Sequence, residues 1–566
     1  MRWKLNPPPN QENVNELINC LSVDKTIATL LVQRGIDTFE KARLFFRPSL
    51  KDLHNPYLMK DMDKAIERIE KAILQNEKIL IYGDYDADGT TAVSLLYSYF
   101  RTFYPNMLTY IPDRYNEGYG ISFQGIDFAE NNGCSLIIAL DCGIKSYDKV
   151  EYAKSKNIDF IIADHHLPDA EIPRAVAVLD PKRKDCNYPY KELCGCGIGF
   201  KIVQALAEKR GQKVEDLIPY LDLVAAAIGA DIVPITGENR ILAKFGLEVI
   251  NTNPRNGIKA LIHNLQKQKL TNTDVVFIIA PRINAAGRMK HGNYAVQLLT
   301  EFDWEQALEF ASDIELFNSE RKELDERTTQ EALLQIVETQ QENLSTTVVF
   351  NENWHKGIIG IVASRLTETY YKPTIVFTES NGKMVASARS VKDFDIHQAL
   401  EECSEFIEQF GGHKYAAGLT VTKEKFIDFR NRFEEVVKTT ITEASLYPEI
   451  CIDTQIDFSD ITQKFMRILK QFEPFGPGNM PPVFLTQSVK DTGYCRKIGK
   501  NEEHLKMFVK QNNSVSFDAV GFGLGDKIGL VKNQKLFDMV YSIEENHWNG
   551  NTTLQLKVKD ISEKRT

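Results

Sequence analysis

Between residues 78 and 180, short β-branched apolar runs alternate with helical stretches, and most of the runs stop at an acid. They read "KILIYGD", "NMLTYIPD", "SLIIALD", "DFIIADHH" and "AVAVLD", separated by segments such as "SYDKVEYAKSKN". Alternation of this kind predicts a parallel sheet with helices on both faces. Such sheets place their ligands beyond the carboxyl ends of the strands, which is where the acids fall. One terminal aspartate is unremarkable, but several in succession predict a site.

The first acidic turn, "GDYDADG", puts Asp84, Asp86 and Asp88 before Gly89. Read literally, it opens an EF-hand calcium loop, which needs a bidentate Glu at its twelfth position and a helix leading in. The twelfth position counted from Asp84 is Leu95, and the lead-in "KILIY" has strand character. The following "TTAVSLLYSYF" reads as a helix with Thr90 or Thr91 as its cap. Strand, acidic turn and helix together make an α/β active-site corner rather than a calcium loop.

A chain of 566 residues predicts about three or four domains. The expected fold class is α/β: two α/β domains joined by a long helix, with a small β-barrel at the C-terminus. The expected segments are a helical lead-in over 1–77, an α/β domain over 78–300, a connecting helix over 301–342, a second α/β domain over 343–445 and the barrel over 446–566. The connecting stretch lacks Gly and Pro and is rich in good helix formers. The barrel is read from many short strands separated by turn signals.

Nine cysteines without a C-x-x-C pair signal neither a disulfide framework nor a zinc site, and "CGC" at 194–196 reads as a small-residue turn. A net charge of −10 argues against a uniformly basic nucleic-acid binder but leaves room for a local basic groove. No apolar run approaches the roughly 20 residues that span a bilayer. The opening "MRWKLNPPPNQENVNEL" has no apolar signal region. A cytoplasmic location without membrane contact is expected.

Four acidic or imidazole clusters carry the chemistry. They are Asp84-Asp86-Asp88, Asp141, Asp164-His165-His166 and Asp231. Oxygen ligands with one or two imidazoles suit Mn²⁺ or Mg²⁺ better than zinc or copper. Carboxylates crowded in one crevice repel one another unless cations neutralise them. Two cations about 3.5–4 Å apart form the arrangement that hydrolyses phosphodiesters. Adjacent His165 and His166 point to opposite sides, so one can bind metal while the other faces a phosphate. Asp164 can instead cap the turn that follows its strand.

In order, "GDYDADG", "ALDCG", "ADHH" and "GADIVPITGENR" resemble the motifs of the DHH phosphoesterase superfamily. "APRINAAGR", "WHKGIIGIVASRL", "SARS", "FGGHKYAAGL" and "PFGPGN" narrow the resemblance to its bacterial RecJ branch, single-strand-specific 5′→3′ DNA exonucleases. It spans nearly the whole chain. It implies a DHH catalytic domain over 78–300, a DHH-associated nucleic-acid-binding domain over 343–445 and an OB-fold over 446–566. By resemblance, Asp88, Asp141, His165 and Asp231 hold one ion, and Asp86 with bridging Asp141 holds a second. Asp84 completes the second site directly or through water, and His166 faces the scissile phosphate. Related phosphatases carry His four residues before the Asp86 position. Here it is Tyr82, a poor Mn²⁺ ligand with a phenol pKa of about 10, which implies a second ion bound weakly or only with substrate.

The resemblance further implies that Arg114, Ser387 and Arg389 bind the 5′ phosphate and that Arg282 and Arg288 contact the strand. His413 and Lys414 fall in the glycine-rich nucleic-acid loop. His504, Lys506, Phe508 and Trp548 are candidates for gripping a single strand on the barrel. The activity expected is Mn²⁺- or Mg²⁺-dependent 5′→3′ hydrolysis of single-stranded DNA to 5′-mononucleotides, in recombination and repair. The alternative is a DHH-type phosphodiesterase of short oligonucleotides or cyclic dinucleotides. Expected partners of a monomeric enzyme are single-stranded DNA with a 5′ end, a single-strand-binding protein and a DNA helicase.

Overall fold

The five apolar runs become the five strands of one sheet. Their spatial order is Met107–Tyr110, Lys78–Gly83, Cys134–Leu140, Asp159–Ala163 and Ala177–Leu179, and every neighbouring pair is parallel. The computed structural model describes residues 1–380, 382–548 and 551–563. Gly83 pairs with Leu140, Leu140 with Ala163, and Ala163 with Leu179. The next residues are Asp84, Asp141, Asp164 and Asp180, so register alone delivers four aspartates side by side at the carboxyl end of the sheet. The chain leaves Lys78–Gly83 toward one side and Cys134–Leu140 toward the other. The crevice where such connections part is the ligand site of open α/β sheets. Here it lies between Asp84 and Asp141.

Leu80, Tyr82, Ile137 and Ala139 share a core with Ile126, Ala129, Val150 and Ala153, from the helices Phe123–Asn131 and Tyr147–Ser155. Ile79, Ile81, Leu136 and Ile138 alternate with them and are just as buried. The helices Ala87–Phe100 and Gly195–Lys209 also contact these strands. Burial on both faces is why the strands read as unbroken apolar runs.

The first of these helices starts earlier than "TTAVSLLYSYF" suggests. Asp86 is its N-cap and accepts from the N–H of Asp88 at 2.9 Å and of Gly89 at 3.0 Å. The Thr90 and Thr91 hydroxyls instead donate back to the carbonyls of Asp86 and Ala87, both at 2.6 Å. Aspartate caps at least as well as threonine, and capping from Asp86 places Asp88 on the first turn.

A helix of 35 residues, Trp304–Glu338, begins at its cap Asp303 and leads to the second sheet. The order there is Ile407–His413, Ala416–Val421, Lys383–Arg389, Thr374–Ser380 and Thr347–Phe350, antiparallel except for the last pair. Met384, Ala386 and Ala388 face a core with Phe429 and Phe433. The alternate residues Ser387 and Arg389 therefore share the opposite face.

All of this belongs to one unit, residues 54–233 and 245–448; the other comprises residues 1–53, 234–244 and 449–566. Residues 1–53 thus do not lead into the first α/β domain, as a 1–77 segment would. Arg2–Leu5 pairs in parallel with Glu449–Ile452, and Leu17, Leu31 and Phe45 share a core with Phe465, Phe484 and Met539. The C-terminal barrel closes because Phe484–Asp491 pairs with both Phe537–Trp548 and His504–Gln511. Arg240, in the same unit, lies 3.8 Å from the Phe45 ring centroid and donates to the carbonyls of Phe45, Gln471, Phe472 and Glu473. Among the described residues no helix is long and apolar enough to cross a membrane.

Candidate active site

Asp88 is buried, and its two oxygens accept from the N–H groups of Gly195 and Cys196, each at 2.7 Å. These donors open the helix Gly195–Lys209, whose positive end favours a carboxylate. "CGC" is therefore a helix start built around Asp88. Cys194 Sγ caps it by accepting from Gly197 N–H at 3.3 Å. A Cβ on Gly195 would stand 2.5 Å from Asp141 Cβ and 2.6 Å from Asp141 Oδ1, so only glycine leaves room for Asp141. Asp141 itself has a left-handed backbone, φ 61°.

His165 Nε2 gathers the acids. It lies 3.2 Å from Asp141 Oδ1, 3.6 Å from Asp231 Oδ2 and 3.9 Å from Asp88 Oδ2. Asp231 follows the helix Leu221–Ala230 as its C-cap. Ligand atoms of Asp88, His165 and Asp231 lie within 4.8 Å of one another, as do those of Asp141, His165 and His166. Asp84 accepts from Gly120 N–H at 3.2 Å through Oδ1. Asp84 Oδ2, Asp141 Oδ1, Asp231 Oδ2 and both ring nitrogens of His165 are buried without a hydrogen-bond partner. Buried polar atoms are rarely left so, and a set of orphaned oxygens and nitrogens in one crevice fits a divalent ion.

The electrostatics agree. Burial and neighbouring carboxylates push Asp84, Asp141 and Asp231 well above the usual carboxylate range, and Asp88 to about 7. Burial and the adjacent His166 pull His165 down to about 3, which keeps its imidazole in the neutral form that binds metal. A bound dication would reverse the carboxylate shifts.

Asp164 does more than cap a turn. It accepts from Ile144 N–H at 2.9 Å, from the N–H of His165 and His166, and from His166 Nδ1 at 2.7 Å. Burial pushes this carboxyl up, but the hydrogen bond and charge of His166 bring it down to about 2. In turn, burial lowers His166 while Asp164 outweighs it, leaving that imidazole at about 9. His166 Nε2 is 3.1 Å from the Tyr119 hydroxyl.

Tyr82 is fully buried, and its hydroxyl donates to Gly120 O at 2.9 Å and accepts from Ser122 N–H at 3.1 Å. It braces the loop that presents Gly120 to Asp84. Burial raises this phenol far above its ordinary value.

Beyond Tyr85 lies a cluster of guanidinium groups. Arg114 sits 4.8 Å from the Tyr85 ring centroid. Burial, then Arg114, pulls Arg288 down to about 10 and also lowers Arg389. Arg288 donates to Gly357 O at 3.0 Å, and Arg389 to Ser387 Oγ at 3.0 Å. Burial and Arg114 lower His355 and Lys356 as well. Cations crowded and partly buried together make a site for a phosphate. Arg282 is elsewhere: its Nε donates to Glu315 at 2.6 Å and its Nη1 to Ile278 O at 2.8 Å. His413 ends the strand Ile407–His413, and burial and the charge of nearby His166 lower it. The neighbouring Lys414 ammonium lies 5.4 Å from the Tyr415 ring centroid.

Sequence reasoning did not single out several residues at this site. Asp180, at the end of "AVAVLD", is buried and pushed up to about 7 by burial. Asn284 Oδ1 accepts from Ala87 N–H at 2.9 Å and ties "APRINAAGR" to the acidic turn. His355 and Lys356, within "WHKGIIGIVASRL", and Tyr119 have no role predicted from the sequence. In the other unit, exposed Phe508 lies 6.3 Å from Tyr494, and His504 lies 5.1 Å from Phe522. Lys506 is paired with Asp518 at 2.5 Å. The Trp548 side chain lies outside the described residues.

The sequence matches three family models: "DHH family, N-terminal domain" over residues 78–228, "DHHA1 domain" over 342–439 and "RecJ OB domain" over 452–560. The parallel sheet with its acid-imidazole crevice is thus that of a DHH-type protein. The single-stranded-DNA-specific exonuclease RecJ of Bacillus subtilis is 38% identical over 575 residues, covering 99% of this chain and 71% of its own. The Escherichia coli exonuclease of the same name is 31% identical over 525 residues, covering 88% and 90%. The crystal structure of Thermus thermophilus RecJ with Mn²⁺ superposes with a TM-score of 0.85 at 25% identity, covering 100% of this chain and 80% of that one. The chain belongs to the RecJ family.

Proposed function

We propose that this protein is a Mn²⁺- or Mg²⁺-dependent exonuclease that degrades single-stranded DNA from its 5′ end to 5′-mononucleotides. One observation carries the reading: orphaned carboxylate and imidazole atoms converge beside a guanidinium cluster in the same unit. The names of the B. subtilis and E. coli relatives support the substrate, and the Mn²⁺ in the Thermus crystal structure supports the ion.

Asp88, Asp141, His165 and Asp231 would hold one ion, and Asp86 and Asp84 with a shared Asp141 a second. Bound there, the ions supply a nucleophile at neutral pH and neutralise charge developing on the phosphoryl group. Asp164 orients His166 so that Nε2 is the nitrogen turned toward substrate, where it donates to a phosphate oxygen. Arg114, Arg288, Arg389 and Ser387 hold the terminal 5′ phosphate, so cleavage proceeds from that end. His413 and Lys414 flank the strand, and the barrel's exposed aromatic residues stack on bases further along. The enzyme is read as cytoplasmic and monomeric, acting with a helicase that exposes single strands and a single-strand-binding protein.

The test is digestion of 5′-labelled and 3′-labelled single strands, and of the matching duplex, with Mn²⁺ present. Labelled mononucleotide is expected first from the 5′ end of the single strand. Release first from the 3′ end, or equal attack on duplex, contradicts the proposal. A preference for very short oligonucleotides favours the phosphodiesterase alternative.

A further inference from the structure

The long helix Trp304–Glu338 is ion-paired to both α/β domains. Glu315 accepts from Arg282 Nε, on the first, at 2.6 Å. Ten residues further along, about 15 Å of helix, Asp325 accepts from Arg365 Nη2, on the second, at 2.7 Å. The Asp325 side chain is 1% exposed although its partner Arg365 is 55% exposed. Arg321, one turn earlier, lies 3.9 Å from Asp325 and donates to Asn318 Oδ1 at 3.1 Å. The charge of Arg321 is also felt at Arg288. Burying a carboxylate is costly unless it is paired. Placing one on the inner side of this polar helix, bound to two arginines, is a fixture at a defined position.

The 5′-phosphate cluster is divided across the same seam. Arg114 and Arg288 precede the helix in the chain, and Ser387 and Arg389 follow it. Arg288 donates to Gly357 O at 3.0 Å across the seam, and a Cβ on Gly357 would stand 2.6 Å from Arg288 O. The two domains are therefore closely fitted where the cluster forms. Its geometry, and its distance from the metal crevice, depend on how the helix holds them.

We infer that Arg282, Glu315, Asp325 and Arg365 are positioning residues: two ion pairs on the long helix set the spacing between the metal crevice and the 5′-phosphate cluster. This rests on the proposed exonuclease activity and gives Arg282 a role other than strand contact. Phosphate recognition by fixed guanidinium groups is steeply geometric, so loosening either pair weakens the preference for a 5′-phosphorylated end before it touches the metal crevice.

The test uses the full chain and Arg365→Gln, a change at a half-exposed side chain, with Arg365→Lys as the variant that keeps the pair. Glu315→Gln opens the other pair at a second half-exposed position. For each protein, kcat and KM are measured on one single strand carrying either a 5′ phosphate or a 5′ hydroxyl, together with Tm and Mn²⁺ binding. The wild type is expected to prefer the phosphate. Arg365→Gln and Glu315→Gln are expected to lose about 10-fold or more of that preference, chiefly through KM. Mn²⁺ binding stays unchanged, and Arg365→Lys recovers most of the loss. A phosphate-to-hydroxyl ratio that stays at the wild-type value in both Gln variants overturns the inference, even if the overall rate falls. A wild type indifferent to the 5′ phosphate would refute the phosphate-cluster reading itself.

Discussion

Asp164 Oδ1 accepts from His166 Nδ1 at 2.7 Å, and the same oxygen accepts from the backbone N–H of both histidines. One buried carboxylate therefore engages Nδ1 of His166 and leaves Nε2 on the side of the Tyr119 hydroxyl. Asp164→Asn removes that constraint without removing a proposed metal ligand. The expected result is a kcat on single-stranded DNA lowered about 10- to 100-fold, with Mn²⁺ affinity little changed. Single-turnover kinetics and calorimetric Mn²⁺ titration of the same variant check both halves.

The same pair predicts a pH window for stability. His166 stands at about 9, above its ordinary 6.5, so its contribution is complete below 6.5 and is lost as pH rises through 9. Asp164 stands at about 2, below its ordinary 3.8, so its contribution is complete above 3.8 and is lost as pH falls through 2. Denaturant unfolding of the EDTA-treated wild type and Asp164→Asn is expected to show the largest gap between pH 3.8 and 6.5. That gap closes toward pH 9. A gap that widens above neutral pH contradicts the assignment.

Asp141 is buried among like charges and favours its neutral form. Asp141→Asn supplies that neutral form permanently. The metal-free protein is expected to gain about 0.5–2 kcal/mol of stability. The Mn²⁺-induced rise in Tm and all metal-dependent cleavage are expected to disappear. Thermal unfolding with and without Mn²⁺ reads both effects.

Gly195→Ala places a methyl group 2.5 Å from Asp141 Cβ, whereas at Gly197 the nearest atom would be at an ordinary 3.4 Å. The first variant is expected to lose about 10-fold or more in Mn²⁺ affinity, and the second to bind like wild type. Equal behaviour of the two would mean that Asp141 moves freely.

Tyr82→Phe leaves Gly120 O and Ser122 N–H without the hydroxyl they share. The expected cost is about 1–3 kcal/mol of stability, with a rate loss transmitted through Asp84. Equilibrium unfolding measures the first, and steady-state kinetics the second.

The strands and the terminal acids were legible in the sequence because two-sided burial writes continuous apolar runs and register lines up their ends. The division of labour among the acids was less so. Asp86 is an N-cap as well as a candidate ligand, Asp164 is an orienting group, and Asp88 depends on two N–H groups more than a hundred residues away. The N–H groups capped by Asp86 and the histidine held by Asp164 are chain neighbours, whereas the partners of Asp88 are brought to it only by the fold. Arg282 and Arg288 share one motif, but six residues on a helix turn their side chains about 120° apart. Arg282 pairs with Glu315, and of the two arginines only Arg288 reaches the guanidinium cluster. Residues 1–77 read as a helical lead-in, and a helical pattern does not say which core it covers; for residues 1–53 the barrel supplies it.

Asp84, Asp86, Asp88, Asp141, Asp231 and His165 are proposed to hold two ions, and anomalous diffraction at the manganese edge from Mn²⁺-soaked crystals tests this most directly. Two peaks are expected, one among Asp88, Asp141, His165 and Asp231 and one beside Asp84 and Asp86, with Asp141 touching both. A single peak even with a bound strand, or peaks away from His165, would contradict it.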